Sequence, residues 1–357
     1  MFNRGIIKPV TTLEQKETIT PVSDFGEFGL IKLLTGTLKT NNGSTLKGVG
    51  DDAAVIGYSG DEAILASTDM YVEGVHFDLA YTPLLHLGYK CITASISDIY
   101  AMNGNAEQVL VSVALSSRFS VEALQEVYQG MRIACEKYKV DLVGGDTTSS
   151  KTGLVINITA IGRAKKDEVT YRNGAKPNDI LCVSGDLGGA YVGLQVLERE
   201  KQVFLSNPDM QPELHDYSYV LQRQLRPEAR KDVVEILAAL HIKPTSMIDI
   251  SDGLSSEILH LCDQSGTGCD LFEEKIPRDD NTYDTARSLN LDFTMCALNG
   301  GEDYELLFTI SQADYEKIKN HPDFTLIGYM TEKESGANLI TTSGNRYPLQ
   351  AQGWKHF

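Results

Sequence analysis

Six short segments of this chain each set a carboxylate beside glycine or a hydroxyl group, most of them directly after an apolar run. They read Gly50-Asp51-Asp52, Ser67-Thr68-Asp69, Ser97-Asp98, Gly144-Gly145-Asp146-Thr147-Thr148, Ile248-Asp249-Ile250-Ser251-Asp252-Gly253 and Gly300-Gly301-Glu302-Asp303. Apolar runs of this kind read as strands, so the acids fall at turns where strands end. A fold that gathers them must supply a cation, because like charges at close range raise one another's pKa. Hard oxygen donors of this sort suit magnesium better than metals that favour nitrogen or sulfur.

The rest of the composition narrows the setting. With 357 residues and 42% hydrophobic content, the chain is long enough for two domains, each with its own core. The formal charge of −17, from 49 acids against 32 bases, argues against a nucleic-acid partner and against an anionic membrane surface. Anionic small molecules remain open to it if metal ions carry the positive charge between. None of the six cysteines forms a Cys-x-x-Cys pair, which fits buried free thiols in a reducing cytoplasm. No apolar stretch reaches membrane-spanning length, and the first residues lack the apolar core of a secretory signal.

Periodicity organises the chain into alternating elements. Residues 1–22 read as a loose extension, and Ser23-Asp24 as helix caps before Glu27–Leu34. Strands are expected over 53–57, 63–68, 108–115, 140–143 and 154–162, with helices over 83–103 and 120–138. A boundary near residue 165 divides the halves. Beyond it come strands at 180–184, 246–250, 268–272, 305–310 and 325–329, and helices at 188–200, 227–240, 254–265 and 312–320. Mixed strands and helices in each half predict two α/β or α+β domains.

Each acidic segment has its own chemistry. The glycines of Gly48-Val49-Gly50 let the chain turn before two acids enter a strand. In an extended chain Ser67 and Asp69 point the same way, and with Thr68 they offer hydroxyl, carbonyl and carboxylate oxygens. His76, just beyond, is placed to touch a substrate phosphate. Asp98 lies in an otherwise apolar helix, where an unpaired acid is costly to bury and asks for a cation. Gly144-Gly145 is read as a turn whose amides face a phosphate while Asp146 holds its ion. Asp249 and Asp252 flank a strand-to-helix junction whose helix N-terminus attracts anions; capping by Ser251 or Asp252 is compatible with that role. One acidic turn alone would be an ordinary polar loop, and six across both halves are not.

Several classes are absent: the Walker Gly-x-x-x-x-Gly-Lys-[Ser/Thr] loop, a kinase-type His-Arg-Asp loop, a Gly-x-Ser-x-Gly elbow and a His-Glu-x-x-His pair. The order and wording of the segments present resemble the thiamine-monophosphate kinases, relatives of aminoimidazole ribonucleotide synthetase and selenophosphate synthetase. The likeness runs from Gly26-Glu27-Phe28 through Gly48–Asp52, Ser67–Asp69, His76-Phe77, Ser97–Met102 and Gly144–Thr148. It continues through Arg172–Pro177, Asp249–Leu254 and Gly300–Glu305 to Trp354.

That resemblance implies a two-domain PurM-like fold, with an N-terminal mixed sheet and helices and a C-terminal α/β sandwich. The implied division is an extension at 1–23, an ATP- and magnesium-binding dimerisation domain at 24–165, and a domain at 166–357 that completes the ATP and substrate sites. It implies ATP-dependent, magnesium-dependent phosphorylation of thiamine monophosphate by a cytoplasmic homodimer. By motif position, Asp52, Ser67, Thr68, Asp69, Asp98, Asp146, Asp249 and Asp252 match magnesium ligands, with turnover resting on Asp98, Asp146 and Asp252. Tyr128, Gly145, Asp146, Arg172 and Ser251 match ATP contacts, and His76, Glu302 and Trp354 match contacts to thiamine monophosphate. A selenophosphate synthetase would want a reactive cysteine near its start, whereas the first here is Cys91. The chain departs from the family pattern in a long connection at 200–225 and in Ser149-Ser150-Lys151, where many members carry an arginine.

Overall fold

The structure, a computed structural model, describes Pro21 and residues 26–352. The caps expected at Ser23-Asp24 and the residue Trp354 lie outside the described residues, as does all of the expected extension except Pro21. Helix α1, Gly26–Thr35, belongs to a separate unit and is described by itself: none of its residues is buried. From Thr40 onward the described chain is one compact unit containing two sheets.

The first sheet holds strands β1 (Thr45–Lys47), β2 (Ala54–Gly57), β3 (Glu62–Val72), β4 (Asn105–Leu115), β5 (Asp141–Ser149) and β6 (Val155–Lys165), in the order β1-β2-β3-β6-β4-β5. Only the β4–β5 pair is parallel. Helices α2 (Leu84–Ala101) and α3 (Val121–Tyr138) pack on each other. Alternation along β4 explains one side of the sheet: Val109, Val111 and Val113 are buried, and the residues between them are half-exposed.

The second sheet holds β7 (Ile180–Ser184), β8 (Ser246–Asp249), β9 (Gly268–Phe272), β10 (Leu306–Ile310), β11 (Phe324–Thr331), β12 (Ala337–Ile340) and β13 (Arg346–Pro348). Its order is β13-β12-β9-β11-β7-β10-β8, with β9 and β12 the parallel pair. Around it run α4 (Gly189–Ser206), α5 (Ser218–Leu225), α6 (Lys231–Ala239), α7 (Leu254–Ser265), α8 (Asp280–Ser288), α9 (Phe293–Asn299) and α10 (Tyr315–Ile318). The strands β7, β8, β9 and β10 are buried almost end to end, as continuous apolar runs covered on both faces should be.

Helix α2 is what positions the site. It packs on β3, β4 and β6 of the first sheet and also on β8, the edge strand of the second. Fourteen of its eighteen residues are buried, which a helix enclosed from two sides requires.

Three expectations from sequence are corrected. Gly144-Gly145-Asp146 is no turn but the middle of β5, because its backbone pairs with β4 instead of closing a loop. A side chain at Gly145 would meet Val111 O at 1.7 Å, so the glycine answers close strand packing. Ser67-Thr68-Asp69 likewise lies inside β3, which runs on to Val72 because every residue pairs with β6. The helix expected over 312–320 is a 3-10 turn at Gln312–Asp314 followed by the single turn of α10. Sequence reading also passed over α5, α8, α9, β12 and β13.

Candidate active site

Three carboxylates from distant parts of the chain meet. One oxygen each from Asp52, Asp98 and Asp249 lies within 4.8 Å of the other two. Asp52 precedes β2, Asp98 is on α2, and Asp249 ends β8. Asp52 and Asp249 are buried, and Asp98 is half-buried. Hydroxyls steady them: Ser97 Oγ donates to Asp249 Oδ2 at 2.6 Å, and Ser67 Oγ donates to Asp98 Oδ2. Alternation along β3 sends Ser67, Asp69 and Tyr71 to the α2 side, where Tyr71 Oη lies 3.0 Å from Ser95 Oγ.

The electrostatics follow from burial. Desolvation is the largest cause holding the carboxyl groups of Asp52, Asp69, Asp98 and Asp249 above their ordinary range. Mutual repulsion adds to it: Asp69, Asp249 and Asp52 push Asp98 well up, and Asp249 is pushed up to about 7. Arg172 opposes this. Its Nη2 donates to Asp52 Oδ1 at 2.6 Å, and its backbone N–H donates to Asp51 Oδ1 at 2.7 Å. Burial works against the Arg172 charge, yet Asp52, Asp249 and Asp98 outweigh it and hold the guanidinium above its usual value. Asp52 Oδ2 stays buried with no hydrogen-bond partner among the described residues.

The junction after β8 comes next. Helix α7 begins at Leu254 behind Gly253, whose place at the N-cap brings no side chain of its own to cap the helix. Glu257, inside the helix, accepts from the backbone N–H groups of Ser251 and Asp252 instead. On the other side the 300–305 segment lies against this loop: Glu302 N–H donates to Ser251 O at 2.7 Å, and Tyr304 N–H to Ile250 O at 2.9 Å. The approach is tight enough that a side chain at Gly301 would meet Ser251 O at 2.4 Å. Glu302 and Tyr304 adopt the left-handed region at φ 57° and 52°, unusual for residues with a Cβ.

Glu302 pairs with Lys90 at 2.8 Å through one oxygen and accepts from Gln224 Nε2 at 2.9 Å through the other. His76 Nδ1 accepts from Val72 N–H at 3.1 Å, and its ring stands edge-on to Tyr71. The other expected residues are placed apart. Tyr128, on α3, is half-buried against the first core. Thr68 Oγ1 turns to the opposite side of β3 and donates to Ile158 O at 3.2 Å. Asp146 shares that opposite side, because the row that contains Asp69 ends on Gly145. Three strand steps separate those two residues, roughly 14 Å at ordinary strand spacing.

Sequence reasoning gave no role to Ser95, Ser97 or Lys90, naming Ser97 only as the hydroxyl neighbour of Asp98, and passed over Gln224 and Glu257. Polar residues in the apolar stretch of α2 were a readable signal for the first three. Nothing local marked Gln224 or Glu257.

The likeness to known proteins bears on the family and the fold. Residues 50–164 match the family described as AIR synthase related protein, N-terminal domain, which defines the class of the first sheet and its helices. The thiamine-monophosphate kinase of Bacillus subtilis is 33% identical over 336 residues, spanning 93% of this chain and 99% of that one. That of Aquifex aeolicus is 33% identical over 339 residues, 94% and 99%. Among solved structures, AaThiL complexed with AMPPCP and TMP superposes with a TM-score of 0.80 at 31% identity, over 96% of this chain and 100% of that one. The chain belongs to the thiamine-monophosphate kinase family.

Proposed function

We propose that this protein transfers the γ-phosphoryl group of ATP to the phosphate of thiamine monophosphate, giving thiamine diphosphate and ADP. The observation that carries the reading is the convergence of Asp52, Asp98 and Asp249 beside the single guanidinium of Arg172. The family relatives and the AMPPCP and TMP complex of AaThiL supply the substrates.

The donor set fits magnesium. It is made of oxygens alone, its carboxyl groups resist ionisation without a further cation, and Asp52 carries a buried oxygen with no partner among the described residues. Asp52, Asp98 and Asp249 would hold the ion, with Asp69 and Asp252 beside them. Bound there, magnesium supplies the positive charge that offsets repulsion between two phosphate groups.

The chain's own residues do the rest. Arg172 sets a fixed positive charge against the cluster, and Ser67 and Ser97 hold two carboxylates in one orientation. The acceptor phosphate is already largely ionised near neutral pH, so no strong base is needed. Its oxygen attacks the γ-phosphorus in line, the bond to the β–γ bridging oxygen breaks, and ADP leaves with the electron pair. No covalent intermediate on the protein is required. Glu302 and His76 would contact the thiamine part of the acceptor. Incubation with ATP, Mg²⁺ and thiamine monophosphate should form thiamine diphosphate, measured by chromatography; its absence would sink this reading. A non-catalytic metal- or nucleotide-binding protein would bind ATP without making it.

The active form is a homodimer joined through the first sheet. Edge strand β5 is exposed along its whole length, including Leu142 and Val143, and edges of that kind invite pairing. Asp146 would then lie at the interface. Val143→Lys should convert a dimer to a monomer in light scattering after gel filtration; an unchanged dimer would place the interface elsewhere. The six buried free thiols suit a reducing compartment, in keeping with a cytoplasmic enzyme.

A further inference from the structure

Glu257 is the least expected residue near the site. It lies in the first turn of α7 and is 1% exposed. Its Oε1 accepts two consecutive backbone N–H groups, from Ser251 at 3.3 Å and Asp252 at 2.8 Å. Its Oε2 is buried and has no hydrogen-bond partner among the described residues. A buried carboxylate is costly, and capping this helix did not call for one, since a serine before it would serve. What Glu257 does that a cap could not is grip the loop from inside the helix.

That loop begins at Asp249, a member of the carboxylate cluster, and carries Asp252. It is held from the opposite side by the Glu302 and Tyr304 amides. With both sides fixed, its two carboxylates have little freedom to drift. We infer that Glu257 is a positioning residue: by accepting the Ser251 and Asp252 amides it sets the loop geometry in which Asp249 and Asp252 meet a divalent cation. The inference rests on the metal-site reading under Proposed function, and its own content is the role of a residue that never touches the ion.

The experiment compares Glu257→Gln, Glu257→Asp and Glu257→Leu with the unaltered protein. Mn²⁺ binding is measured by calorimetry without nucleotide, alongside the Mg²⁺ midpoint of activity and the melting temperature. Glutamine keeps an acceptor oxygen at the right reach, so it should bind Mn²⁺ within about twofold of the unaltered protein. Aspartate keeps the charge but withdraws the oxygen, and leucine removes it. Both should weaken Mn²⁺ and raise the Mg²⁺ midpoint by about tenfold or more, the usual scale for residues that orient metal ligands. Glutamine binding as weakly as leucine would overturn the proposal, because charge rather than amide acceptance would then matter. Unchanged Mn²⁺ affinity in the aspartate variant would also overturn it, whatever its melting temperature. Should the unaltered protein make no thiamine diphosphate while the variants still order as expected, the kinase reading fails and the positioning role stands.

Discussion

Two groups of buried acids flank the β8–β10 pair, and they are neutralised in opposite ways. On one side, Glu305 takes hydrogen bonds from Arg223 at 3.0 Å, from Arg230 and from Ser184. Its neighbour Asp303 takes the amides of Gly188 and Ala190 and lies 3.4 Å from Arg223. These two acids meet two guanidinium groups, with Asp186 a third carboxylate beside Arg223. On the other side, Asp52, Asp69, Asp98 and Asp249 share one paired cation, Arg172, among the described residues. The first group finds its cations within the protein, although Arg223 Nε and Asp186 Oδ1 beside it stay buried with no hydrogen-bond partner among the described residues. On the proposed function a bound cation completes the second, which is how a binding site would differ from a structural network.

The largest expected effect tests the second group. Asp98→Asn should lower turnover by a hundredfold or more, on the order of what an electrostatic catalytic group contributes. It should leave the melting temperature of the metal-free protein unchanged or higher, since it removes one repelling charge. Near-normal turnover would erase the contrast between the two groups.

The first group should respond in the reverse sense. Glu305→Gln leaves two guanidinium groups facing a neutral partner, and breaking a buried pair in this way costs roughly 3–5 kcal/mol. Denaturant unfolding reads the loss. A variant as stable as the parent would show that the Arg223 and Arg230 network is not structural.

A smaller effect comes from pH. The folded-state pKa of Asp249 is raised to about 7, and those of Asp52 and Asp98 are raised as well, so the folded protein holds protons that the unfolded chain releases. By linkage, this contribution is fully present below the ordinary carboxylate pKa of about 4 and is lost as pH rises through about 7. The metal-free protein should therefore melt at a lower temperature at pH 8 than at pH 5.5, and Mg²⁺ should recover more at pH 8. Asp303, pushed up to about 6 chiefly by burial with Arg223 opposing, adds in the same direction but should not respond to Mg²⁺. Equal metal-induced shifts at both pH values would break the distinction.

Legibility followed the range of the interactions involved. Helix α7 and strands β7 and β9 have the expected ends, because apolar periodicity and the flanking turn residues are local. Helix α8, Asp280–Ser288, is polar and short, so its pattern resembles a loop until Thr282, Thr285 and Ala286 are buried by neighbours. Gly144-Gly145 carries the local marks of a turn, and strand pairing with β4 overrode them.

The same division runs through the site. Sequence by itself marked the acids proposed for the chemistry, since each carries its glycine or hydroxyl neighbours with it. It also determined the family, because the order of those segments is a property of the chain. Tertiary structure alone decided which acids meet. Asp52, Asp98 and Asp249 converge because α2 packs on the first sheet and on β8 of the second together, while Asp146 is carried to the far side of its sheet by strand alternation. Convergence depends on how two sheets dock on one helix, and no window of residues contains that information.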